Sequence, residues 1–156
     1  MIGYFVSVGD AEIDELFSPY LWGEFGLAKT IKQELKDKKY GHDLDLLLIE
    51  YYVEGKFVPL GSEKLKGEDL RVLNYSRKEK AISVAVAVRF PHFHDREQME
   101  RKKFLIKTTL AAIDSVREKL EKRGVDTNFD ALRQDVDRVG NLFLNAAPEI
   151  KEGKEY

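Results

Sequence analysis

The chain has 156 residues, 43% hydrophobic and 35% charged, with a formal net charge of −2. That length and composition suit one folded domain with a full core, and the charge is too small to steer the whole molecule towards nucleic acid or an anionic membrane. There is no cysteine, which excludes disulfides, thiolate metal sites and a cysteine nucleophile.

The first ten residues, Met1-Ile2-Gly3-Tyr4-Phe5-Val6-Ser7-Val8-Gly9-Asp10, have no basic region and a short apolar stretch that ends in Asp10, so they do not read as a signal peptide. Residues 4–8 predict a strand. Asp10 can cap a following helix whose early turns carry Glu12, Asp14 and Glu15, where the helix dipole favours acids. Ile13, Leu16 and Phe17 give that helix an apolar face, and Pro19 is expected to end or bend it. Tyr20-Leu21-Trp22-Gly23-Glu24-Phe25-Gly26 is a glycine-spaced aromatic turn. Leu27, Ile31 and Leu35 then predict a helix from 27 to about 39, stopped at Tyr40-Gly41-His42.

Residues 44–54 read as a long strand, Gly55 as a turn and 56–60 as a short return strand, followed by a polar loop over 61–69. A strand over 70–75, a charged turn over 76–80 and a strand over 81–90 come next. In the last of these, valines on one face fill a core and alanines on the other let something approach closely. Pro91 ends it. A helix is predicted from near Asp95 to about Arg123, with Ile106, Leu110, Ile113, Val116 and Leu120 as its stripe and Gly124 as its stop. Thr127 or Asn128 can cap a final helix carrying Phe129, Leu132, Val136, Val139, Leu142 and Phe143, and residues 147–156 read as a flexible tail. No apolar run approaches the roughly 20 residues of a membrane span. The expectation is a single cytoplasmic domain over 1–156 of α+β class. Its antiparallel sheet of about four to five strands would pack with helices from the amino-terminal third and the carboxyl-terminal half.

His92 and His94 sit two apart, so an extended backbone puts both imidazoles on one side, where they can grip a metal ion. The blander account is a pair of loop histidines with Asp95 as helix cap; the third ligand a metal needs is not identified, and no metal or cofactor is assigned. Glu50, Tyr52 and Glu54 share one face of the long strand, opposite Asp43 and Asp45. Two acids on one face can do general acid–base work if burial splits their pKa values, but a solvated sheet face is the preferred reading. A small metal-dependent or acid–base hydrolase built around His92 and His94 is therefore the alternative function. No phosphate-binding glycine loop and no Gly-x-Ser-x-Gly elbow is present. The lysines and arginines of the predicted helices are interleaved with acids, as on a solvated face, and not gathered into the one-signed stripe that nucleic acid needs.

Charge order is more suggestive. Residues 1–28 hold Asp10, Glu12, Asp14, Glu15 and Glu24 and no lysine or arginine, together with Tyr4, Phe5, Phe17, Tyr20, Trp22 and Phe25. Tyrosine and tryptophan beside acids are what a surface for a basic partner would use. The competing account puts most of these aromatics in the core.

Tyr40-Gly41-His42-Asp43-Leu44-Asp45-Leu46-Leu47-Leu48-Ile49-Glu50-Tyr51-Tyr52-Val53-Glu54-Gly55 and Tyr20-Leu21-Trp22-Gly23, with the order of elements, resemble small bacterial immunity proteins of polymorphic toxin systems. The resemblance implies a single cytoplasmic α+β domain, without enzymatic activity or cofactor, that binds and neutralises a cognate toxin by steric and electrostatic occlusion. The expected contact residues are Glu12, Asp14, Glu15, Tyr20, Trp22 and Glu24, with Glu50, Tyr52 and Glu54 on the long strand. A structural homodimer, paired through the sheet or the long helix, is a third reading.

Overall fold

A computed structural model describes residues 2–6, 11–54, 70–89 and 96–145. The elements are β1 (Ile2–Val6), α1 (Ala11–Trp22), α2 (Leu27–Glu34), β2 (Leu46–Val53), β3 (Leu70–Ser76), β4 (Ala81–Val88), α3 (Gln98–Glu121) and α4 (Phe129–Asn145).

The strands form one sheet in the order β1-β2-β4-β3. β1 runs parallel to β2, with Ile2 opposite Leu47, and β2 runs parallel to β4, from Leu46 opposite Ala81 to Val53 opposite Val88. Only β3 and β4 are antiparallel. The class is α+β, but the sheet is mixed, which corrects the antiparallel sheet expected from the sequence. Two connections explain the difference. The α1–α2 pair is a helical crossover, which returns β2 parallel to β1. After β2 the next described strand, β3, holds the far edge of the sheet. The β3–β4 hairpin then folds β4 inward against β2. The return strand expected over 56–60 lies outside the described residues.

One face of the sheet carries the helices. On β2, Leu47, Ile49 and Tyr51 are buried on that face, and on β4 it is Ile82, Val84, Val86 and Val88. Against them pack Phe17 of α1, Ile31 of α2, Val116 of α3 and Val136 of α4, all within 1% of full burial. Each such side chain contributes about 1.5–3 kcal/mol by leaving water, so this face dominates the stability. The β4 alanines lie on the other side. Ala85 and Ala87 form a smaller cluster there with Tyr52, and Leu73 packs against it. Val72 and Tyr75 both pack against the helix-side core although three residues apart; an irregularity in the register between them takes up the extra residue.

Helix α1 continues through Pro19 to Trp22, so the proline does not end it. Leu16, Phe17, Tyr20 and Leu21 are all buried and form one stripe across the proline. Their burial outweighs the backbone hydrogen bond that proline cannot donate. Helix α2 is shorter than expected and ends at Glu34. Residues 36–39 are all charged and exposed, so nothing apolar carries the helix past Leu35. Helix α3 ends before Gly124, and Asn128 caps α4, its Oδ1 accepting the Ala131 N–H at 3.1 Å. No helix among the described residues is long and apolar enough to cross a membrane.

The segment leading into β2 is fastened to the α3–α4 turn. Gly41, at φ +132°, bridges to Thr127. A Cβ there would collide with the Asp126 carbonyl, so only glycine suits both the angle and the space. The Asp43 N–H donates to the Asp126 carbonyl at 3.2 Å, and the Asp126 N–H returns a bond to Asp43 Oδ2 at 2.6 Å.

Candidate partner-binding surface

The α1–α2 turn is built from short-range hydrogen bonds. The Gly23 N–H donates to the Pro19 carbonyl at 3.2 Å and the Gly26 N–H to the Gly23 carbonyl at 2.9 Å. Thr30 then closes α2 onto Gly26, its N–H at 3.0 Å and its Oγ1 at 2.8 Å from that carbonyl. A side chain at Gly26 would overlap the Leu21 backbone. This compact turn leaves Trp22 48% exposed and Phe25 42% exposed, with exposed Glu24 between them in sequence. Large exposed aromatics this close in sequence, on a turn held by its own hydrogen bonds, are the kind of apolar surface a partner could cover.

Tyr20, two residues before Trp22, is fully buried. Positions two apart on a helix point to opposite sides. Its hydroxyl accepts a hydrogen bond from an Arg101 guanidinium nitrogen at 3.2 Å, and that guanidinium lies 5.9 Å from the Tyr20 ring centre. Tyr20 is thus a core residue that anchors the start of α3, and in this conformation it offers no contact surface. Lys102, next along α3, is also buried, with its ammonium 5.7 Å from the Phe143 ring of α4. Burial pulls the Lys102 pKa down.

These contacts bring three helix ends together: the last turn of α1, the first turn of α3 and the last turn of α4. The exposed large hydrophobic residues among the described ones are Trp22, Phe25, Met99 and Leu142, and all four belong to those ends or to the turn beside them. Sequence patterning does not single out Met99, and it groups Leu142 with the apolar residues of the final helix. The available signal was an apolar methionine in an otherwise polar first turn, Gln98-Met99-Glu100-Arg101.

The second group of expected residues lies across the sheet. Phe17 of α1 stacks on Tyr51, ring centres 5.0 Å apart, on the helix side, whereas Tyr52 belongs to the cluster on the opposite face. The Tyr52 hydroxyl donates to Glu50 Oε2 at 2.9 Å, so Glu50 and Tyr52 do share a face. Burial, reinforced by the Glu50 carboxylate, pushes the Tyr52 phenol well above its usual value. Glu54 pairs with Arg89 at 3.2 Å, both largely exposed. The structure therefore separates the expected surface into two parts on opposite sides of the sheet. Glu15 is exposed on α1. Glu12 and Asp14 fall in the first two turns of that helix. His92 and His94 lie outside the described residues.

The tyrosines with displaced pKa values are held in structural hydrogen bonds. Tyr51 is joined to Thr108 at 2.8 Å, Tyr52 to Glu50 and Tyr40 to Asp135. What the α1–α2 turn offers is exposed apolar and aromatic area with acids beside it in sequence.

Comparison with curated proteins and with solved structures gives no match. The family model described as Immunity protein 44 matches residues 4–141, from β1 into the last turns of α4 and across the whole of the α1–α2 turn. The chain belongs to the Immunity protein 44 family.

Proposed function

We propose that this protein is a non-enzymatic inhibitor that neutralises a cognate toxin in the cytoplasm by binding it and covering its working surface. Family membership supports the class of partner. The observation that carries the choice of surface is the pair of exposed aromatics, Trp22 and Phe25, on a turn whose backbone is fixed by its own hydrogen bonds. Rigid aromatic side chains bury large area at low entropic cost and are the usual anchors of an interface. The acids of residues 1–28, unrelieved by any lysine or arginine, favour a basic partner and would speed its approach. Glu50, Tyr52 and Glu54 form a second, subsidiary rim, because each is already engaged in an intramolecular hydrogen bond or ion pair.

The test is co-purification with the cognate toxin domain, using the wild type and a Glu12→Lys/Asp14→Lys/Glu15→Lys/Glu24→Lys variant. The wild type should retain the toxin at 0.15 M salt, and the variant should bind more slowly and retain less. A wild type that fails to retain any toxin refutes the function. A reversed-charge variant that binds as the wild type does refutes the surface.

A further inference from the structure

We propose that the recess between the end of α2 and the β3–β4 turn is an anion site for a phosphoryl group, separate from the toxin-binding surface. The recess has a volume of about 290 Å³ and is lined by Lys38, Lys39, Tyr40, Gly41, His42, Leu44, Asp45 and Lys80. Three lysines and a histidine thus face one carboxylate. Lys38 is already answered by Asp135 at 3.1 Å, and the Tyr40 hydroxyl points to that same carboxylate at 2.6 Å. Lys39 and Lys80 are exposed, and no ion pair engages either among the described residues. Two compact ammonium groups brought to one recess from different elements suit a tetrahedral dianion, and the volume leaves room for part of the group that carries it.

A second observation comes from the backbone. Lys80 has φ +51°, and among the described residues it is the one non-glycine with positive φ. Its carbonyl accepts the Asp45 N–H at 2.7 Å and the Leu46 N–H at 3.1 Å, which locks the turn in that shape. A glycine would occupy this position with less strain. A long cationic side chain held there at a conformational cost, at the mouth of a recess already rich in lysine, points to a use for its charge.

The experiment is a titration of the full chain with inorganic phosphate and, separately, with adenosine 5′-monophosphate, in chloride buffer, followed by backbone amide NMR shifts. Saturable shifts confined to Gly41, His42, Asp45 and Lys80 are expected. Affinity should fall about tenfold in Lys39→Ala and in Lys80→Gly, the loss typical of one charge-assisted contact, and stay unchanged in Lys32→Ala on exposed α2. Lys80→Gly should melt no lower than the wild type, because glycine accepts the turn. Tighter binding of the nucleotide assigns the recess to a phosphate ester, and equal binding assigns it to free phosphate. Shifts that do not saturate, or that weaken equally in Lys32→Ala, mean an adventitious ion only and overturn the proposal, as does full binding by both Lys39→Ala and Lys80→Gly. Toxin retention by these variants is expected to match the wild type, so the two sites fail or stand separately.

Discussion

Replacing Tyr40 by phenylalanine removes one hydroxyl from the joint that holds the β2 approach against α4. That hydroxyl donates to Asp135 Oδ2 at 2.6 Å, and the same carboxylate receives Lys38 at 3.1 Å. A hydrogen bond to a charged acceptor is worth about 1.5–3 kcal/mol. Lys38 remains to hold the charge and the site is only part-buried, so the loss should be about 1–1.5 kcal/mol, or roughly 3–5 °C in melting temperature for a domain of this size. The pH dependence follows from the same contact. The Tyr40 hydroxyl, with Lys38 behind it, holds the Asp135 carboxyl below its ordinary value of 3.8. A carboxyl depressed in the folded state stabilises fully above its unfolded pKa, and that contribution is lost as pH falls through the folded value. The penalty of Tyr40→Phe should therefore be complete at pH 7 and shrink by about half once Asp135 is protonated, because a neutral pair is about half as strong. Urea unfolding at pH 7 and at a descending series of acid pH values follows the penalty as Asp135 is protonated. No penalty at pH 7, or one that does not shrink in acid, would refute the reasoning.

Three further outcomes follow from the packing. Phe17→Ala deletes a fully buried ring stacked on Tyr51 and should cost about 3–5 kcal/mol by thermal or urea unfolding. Gly41→Ala forces a Cβ into the Asp126 carbonyl at φ +132°; the same assay should show a loss above about 1 kcal/mol, where an ordinary surface glycine would show almost none. Lys102→Met keeps the stem that packs near Phe143 and removes a charge that burial disfavours. A lysine depressed in the folded state opposes folding at neutral pH, and the opposition fades as pH rises through its folded pKa towards 10.5. The variant should raise the urea midpoint at pH 7, with the gain narrowing towards pH 10.

Most elements were legible because their periodicity is local. Leu27, Ile31 and Leu35, the α3 stripe and the alternation in β4 each state which face is buried. Pairing direction was not legible. Strands joined by short links suggest hairpins, but β2 pairs with β4 because the chain first travels to the far edge as β3. The carboxyl end of α1 was less legible, because Pro19 is a stop signal, whereas the buried stripe of Leu16, Phe17, Tyr20 and Leu21 carries the helix across it. The surface was legible in part. Composition pointed to an acidic, aromatic segment, and within it Tyr20 turned inward while Trp22 turned outward. Only the phase of the helix against the sheet decides between them. Met99 and Leu142 reach that end of the molecule because the Arg101–Tyr20 and Lys102–Phe143 contacts bring their helix ends together, which no local pattern contains.

Titration calorimetry of the cognate toxin domain against wild type and Trp22→Ala/Phe25→Ala tests the role of the exposed turn most directly. Both side chains are about half exposed, so the double variant should keep its melting temperature within about 3 °C, in line with near-neutral surface substitutions. As two interface anchors they should together cost about 4 kcal/mol of binding, close to a thousandfold in Kd. A variant that folds normally and binds the toxin as tightly as the wild type would contradict the central claim.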